Sequence, residues 1–97
     1  MQTTFTFRNM NASDALKTHA LEKLTKLGKY LIKPIQTHVI FNVEKFNHVV
    51  EVTLTENGIQ YISHEKSEDM YTSVDKAVSK LERQLKKYKE RLKEHKG

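Results

Sequence analysis

Cysteine is absent from this 97-residue chain, and with it go disulfides, thiol nucleophiles and thiolate zinc sites. That absence fits a reducing compartment. Tryptophan is absent too and aromatic residues make up only 8% of the chain, so the core has to rest on Leu, Val, Ile and Phe. There are three glycines, and only Gly58 sits in turn chemistry, so no glycine-rich loop is available to cradle a phosphate. No run approaches the roughly 18–20 consecutive apolar residues of a membrane span. The first residues, Met1 to Phe7, have no basic region and no apolar stretch, which argues against a secretory leader. The expectation is a soluble, cytoplasmic protein.

Catalytic constellations are missing as well. His19, His38, His48, His64 and His95 form no His-x-x-x-His pair, and no carboxylate cluster completes a metal site, so neither metal nor cofactor is expected. Glu68-Asp69 could pose as paired carboxylates, but acids at the start of a helix are explained by its dipole. With no nucleophile, base and orienting group in combination, the chain is not expected to be an enzyme.

What is present is charge, and it is segregated. The chain carries +5 overall. From residue 13 to 34, five lysines against two acids leave +3; from 44 to 69, two lysines against six acids leave −4; from 76 to 96, nine bases against three acids leave +6. Two basic segments flanking an acidic one point to a polyanionic partner.

The length allows one core, so residues 1–97 are read as a single domain without repeats or linkers. Residues 2–8 alternate Phe5 and Phe7 against Thr4 and Thr6, as a half-buried strand does. Ser13 followed by Asp14 suits a helix start, and Leu16, Ala20, Leu24, Leu27 and Leu31 then make one apolar stripe. Lys33-Pro34 should end that helix. Strands are predicted over 38–45, 49–55 and 59–65, with Val39, Phe41 and Val43 on one face. Asn57-Gly58 supplies the positive φ angles of a tight hairpin. Ser67, with Glu68 and Asp69, should cap a last helix running to His95, about 27 residues or about 40 Å. The order is β-α-β-β-β-α, an α+β fold with helices covering one sheet face.

On that last helix Val74, Val78, Leu81, Leu85, Tyr88 and Leu92 fall on one side. Lys76, Lys80, Arg83, Lys87 and Arg91 fall on the other, with Lys86 and Lys89 at its flanks. Successive members of the basic stripe lie about 4.5–6 Å apart along the axis, near the phosphate spacing of a nucleic-acid strand. Five or six such contacts give tight, salt-sensitive binding without base reading. A helix of this length should overhang strands of about 20–23 Å. Tyr88 and Leu92 would then pack on the first helix or form a small docking patch, packing being the plainer outcome.

Several segments resemble one family: Asp69-Met70-Tyr71 followed by Val74-Asp75, Lys80-Leu81-Glu82-Arg83-Gln84-Leu85, Ser13-Asp14-Ala15-Leu16, Glu22-Lys23-Leu24-Thr25-Lys26-Leu27, Val43-Glu44-Lys45 and Asn57-Gly58. Across essentially the whole chain they are similar to the ribosome hibernation promoting factors and ribosome-associated inhibitors, also called ribosomal subunit interface proteins. The resemblance implies a four-stranded sheet with two helices on one face, similar in its core to double-stranded-RNA-binding domains. It implies binding to 16S rRNA of the small subunit, in the groove of the mRNA and the A- and P-site tRNAs. It further implies silencing of 70S ribosomes and promotion of inactive, paired 100S ribosomes, in stationary phase or starvation.

The family's basic positions match Lys23 and Lys26 on the first helix and Lys80, Arg83 and Lys87 on the last. Face analysis adds Lys29, Lys76, Lys86, Lys89 and Arg91. A chain ending at Gly97 matches the short hibernation factor, which works beside a separate modulation factor, rather than forms with a further domain or tail. The strand after Gly58, Ile-Gln-Tyr-Ile-Ser, is bulkier than the family pattern. The expected state is a free monomer without membrane or DNA partners. The competing readings are a general double-stranded-RNA binder and a protein-interaction module using Tyr88 and Leu92.

Overall fold

Alternation makes the sheet. Phe5 and Phe7 of β1 (Gln2–Arg8) turn inward and stack on Phe41 of β2 (Ile35–Glu44), with ring centroids 6.2 and 4.7 Å away. β1 and β2 pair in parallel, which requires a crossover, and α1 (Asp14–Thr25) supplies it. β2, β3 (Asn47–Glu56) and β4 (Ile59–Ser67) then form an antiparallel meander in the order β1-β2-β3-β4. The computed structural model describes residues 1–95, with side chains as far as Arg91.

Both helices pack on one face of this mixed sheet, as the sequence predicts. From the sheet, Val39, Phe41, Val50, Val52 and Leu54 point into the core; Leu16, Ala20 and Leu24 meet them from α1. The last helix, α2 (Met70–His95), contributes Met70, Val74, Ala77, Val78, Leu81 and Leu85. Each fully buried Leu or Phe contributes about 1.5–3 kcal/mol. Polar pins set the approach of α2: the Ser63 hydroxyl donates to the Ala77 carbonyl at 2.7 Å, and the Ser73 hydroxyl to the His48 carbonyl at 2.6 Å.

Three local expectations are corrected. The first helix does not run unbroken to Pro34: it ends at Thr25, and Lys26–Tyr30 tightens into a 3₁₀ turn closed by Leu31 N–H on the Gly28 carbonyl. Gly28 is a poor helix former. Because residues three apart eclipse in a 3₁₀ turn, Leu27 is still buried and Tyr30 half-buried. The β2–β3 connection is shorter than predicted, with only Lys45 and Phe46 between Glu44 and its partner Asn47.

The cap of α2 is Asp69 rather than Ser67. The Asp69 carboxylate accepts from Thr72 N–H at 3.0 Å and from the Thr72 hydroxyl at 2.9 Å, while Ser67 braces the Asp69 backbone. Asx residues fit this role because the short carboxylate reaches the unsatisfied N–H groups of the first turn. Those two Thr72 bonds hold the Asp69 carboxyl below its ordinary value of 3.8. A carboxyl lowered in the fold stabilises it fully above that ordinary value, and the contribution disappears as pH falls through the lowered one. Asp69→Asn should therefore flatten the acid limb of a stability-against-pH curve below about pH 4, measured by urea unfolding across pH. It should also slightly lower neutral-pH stability, since the amide oxygen still caps the helix but the charge is gone.

Candidate nucleic-acid interface

Period 3.6 carries Lys76, Lys80, Arg83 and Lys87 along one exposed side of α2, and Lys86 and Arg91 are exposed as well. Lys76, Arg83, Lys86, Lys87 and Arg91 have no acidic partner among the described residues. Lys80 lies 3.6 Å from Glu65 of β4. Both side chains are substantially solvated, so this pair holds Lys80 by less than about 1 kcal/mol and a phosphate can displace it.

On the first basic segment, Lys26 and Lys29 are exposed, but they stand on the 3₁₀ turn rather than on the α-helix proper. The Lys29 ammonium sits 5.3 Å from the centre of the Tyr30 ring, which directs it without neutralising it. Lys23 is half-buried and 3.9 Å from Asp75 of α2. Asp75 is in turn held by His19 at 2.7 Å, and the His19 ring meets Tyr71 edge-on at 5.1 Å.

The two basic segments do not merge into one surface. Between them runs a groove of about 240 Å³, one wall of which carries Lys23 of α1 and Lys26 of the 3₁₀ turn, and the other Asp75, Ser79 and Glu82 of α2. Glu82 also accepts from the Tyr30 hydroxyl at 3.3 Å. An acidic seam thus separates a short basic ridge on the α1 side from a long one on α2. The spacing of Asp75 and Glu82, seven residues or about two turns, is the sequence signal that could have exposed this seam.

Lys89 is placed apart from the other cations. Its ammonium lies 3.0 Å from Oε1 of Glu56, a carboxylate on the helix-facing side of β3 that is only 3% exposed. The other oxygen of Glu56 accepts the backbone N–H of Ile32. Lys89 is therefore engaged internally, in a cluster that also holds Tyr61 and Tyr88. The Tyr88 ring packs edge-on against Tyr61 of β4 at 6.0 Å, not against the first helix, and so makes no free docking patch. Burial pushes the Tyr61 hydroxyl above its ordinary 10.0, and the charge of Glu56 adds to the effect. The side chain of Leu92 lies outside the described residues.

Among the described residues no three metal-ligating side chains come together, and no helix is long and apolar enough to cross a membrane. His38 is occupied by the Thr4 and Thr6 hydroxyls on the open sheet face.

Residues 3–93 match the family model described as Sigma 54 modulation protein / S30EA ribosomal protein. The chain is 36% identical over 95 residues to the ribosome hibernation promoting factor of Escherichia coli strain K12, spanning 98% of this chain and 100% of that protein. It is 33% identical to the protein of the same name from Azotobacter vinelandii, over 94% of this chain and 85% of that one. Among solved structures, a ribosomal subunit interface protein from Coxiella burnetii superposes with a TM-score of 0.80 at 32% identity, covering 92% of this chain and 98% of that one. The N-terminal domain of Protein Y from Thermus thermophilus shares the fold, with a TM-score of 0.83 at 24% identity over 91% of this chain and 99% of that domain. A match over nearly the whole length, on the same fold and with relatives above 30% identity, places the chain in a family of ribosome factors rather than enzymes: it belongs to the Sigma 54 modulation protein / S30EA ribosomal protein family.

Proposed function

We propose that this protein is a cytoplasmic ribosome hibernation factor, acting as one domain over residues 1–97. Free, it is a monomer. Its two basic ridges dock on 16S rRNA in the small-subunit groove for mRNA and the A- and P-site tRNAs, excluding those ligands from 70S ribosomes and favouring paired 100S ribosomes, alongside a separate modulation factor. The observation that carries this reading is the row of exposed cations on α2, from Lys76 to Arg91, in which Lys80 alone meets an acid among the described residues, in a solvated pair with Glu65. The names of the relatives supply the partner.

The proposed mechanism is electrostatic and steric. A phosphate backbone laid along α2 meets cations about every turn, and each neutralised phosphate releases counterions. Arg83 and Arg91 can grip phosphate through two N–H groups, while the lysines act as point charges. The acidic seam at Asp75 and Glu82 repels a backbone lying in the groove, so the ridges engage separate stretches of RNA and the seam sets the orientation.

Co-sedimentation with purified small subunits across a salt series tests this. A log–log slope on the order of −5 is expected, from five or six phosphate contacts. Equal affinity for a plain RNA duplex at matched salt would show a general duplex binder instead. Pull-downs that survive nuclease and high salt would show a protein-interaction module.

A further inference from the structure

The chain builds two hairpins of the same length with opposite chemistry. Between β3 and β4, Asn57 and Gly58 take φ of 51° and 81°, the residues and angles a two-residue turn favours. Between β2 and β3 the same two-residue space is filled by Lys45 and Phe46. Lys45 has φ 53°, and among the described residues it is the only one other than Asn and Gly with a positive φ. Phe46 is 89% exposed, the highest exposure of any large apolar side chain described. Nothing in the turn requires either residue. The local conformation disfavours a lysine, and water disfavours the phenyl ring.

The surroundings of this tip favour an anionic, aromatic partner. Lys45 supplies a cation at the neighbouring position of the same turn. The nearest acid in sequence, Glu44, is drawn back along its strand: its carboxylate accepts from the Asn42 amide at 2.9 Å, and Asn42 in turn accepts from Asn9 at 2.9 Å. The tip also lies at the end of the sheet where α2 begins, since His48, one residue past Asn47, is bonded to Ser73. A two-residue turn carries an unshielded aromatic ring next in sequence to a lysine, at the end of the molecule from which the basic ridge of α2 starts. Aromatic rings so presented stack on unpaired bases, whose π-faces all suit them, while the adjacent cation takes the phosphate.

We propose that the Lys45-Phe46 tip is a third RNA contact, in which Phe46 stacks on an unpaired base that the two basic ridges cannot read. This rests on the RNA-binding reading above, and it adds a base contact to a surface that otherwise grips only backbone. An apolar protein pocket is the competing occupant and is disfavoured by the adjoining cation.

The absence of tryptophan makes the test direct, because F46W introduces the only indole in the chain. F46W, F46L and F46A are compared with the parent in small-subunit binding, and F46W emission is titrated with small subunits and with single-stranded oligoadenylate at low salt. Stacking predicts quenching by both titrants, F46W binding like the parent, and F46L and F46A each weakened about five-fold or more. F46L binding as well as the parent while F46A is weakened would mean an apolar pocket and overturn the base contact. Equal affinity of all four with unchanged emission would overturn it too. Were the parent itself not to bind subunits, the function proposed above would fall; the tip would then stand or fall on the oligoadenylate titration, with unquenched emission rejecting it.

Discussion

Lys80→Glu combined with Arg83→Glu is expected to weaken small-subunit binding on the order of 10²–10³-fold at about 100 mM salt, with the fold unchanged. Both side chains are exposed and lie on the solvent side of α2, so neither substitution touches the core. The double change removes two phosphate contacts at the middle of the ridge and puts two negative charges in their place, taking the net charge from +5 to about +1. Lys80 would lose only its weak pairing with Glu65, although a glutamate there faces another acid and destabilises slightly. Circular dichroism and thermal unfolding should be close to those of the parent, while the protein leaves the subunit fraction in a sedimentation assay. Unchanged co-sedimentation would sink the proposed role of the α2 ridge.

A comparable effect on stability rather than binding is expected at Glu56. This carboxylate joins three elements: its own strand β3, the segment before β2 through Ile32 N–H, and α2 through Lys89. Glu56→Ala should cost about 2 kcal/mol, because it leaves Ile32 N–H without its acceptor and Lys89 without its counter-charge. The figure is below that of a fully buried pair, since Lys89 retains 27% side-chain exposure and can swing into water. For a domain of this size the melting temperature should fall by about 10 °C. Glu56→Gln keeps an acceptor for Ile32 and should lose about half as much. Lys89→Met strands the buried carboxylate and should cost at least as much as Glu56→Ala, whereas Glu56→Leu with Lys89→Met should recover most of the loss.

The same variants separate structure from binding. Lys89→Met should leave the salt slope of subunit binding unchanged, because that ammonium is already spoken for, while Lys87→Ala should reduce it by about one contact. A lowered slope in Lys89→Met would show instead that Lys89 leaves Glu56 for phosphate.

The residues themselves determined most of the architecture, because the relevant signals are periodic and local. Alternation in β1 to β4, the Asn57-Gly58 turn and the Leu81-Leu85 stripe each follow from backbone geometry repeated every two or every 3.6 residues, and each reappears in the structure. So does the outward side of α2, since burying one face of a helix leaves the opposite one in water. Local competition blurred the edges: Asp69 displaced Ser67 as the cap, and Gly28 let the end of the first helix tighten into a 3₁₀ turn.

Tertiary structure alone decided which charges are free. Glu56 and Lys89 are 33 residues apart, Lys23 and Asp75 are 52, and no period connects them. Folding brought Asp75 and Glu82 against the α1 side and divided one broad basic surface into two ridges. The segregated charge that first suggested a polyanionic partner thus survives folding in narrower form: a row on α2 paired only weakly, at Lys80, a shorter ridge on the α1 side, and Lys89 withdrawn into an internal pair. Net charge is a property of composition, whereas the availability of each charge depends on what the fold places within a few ångströms of it.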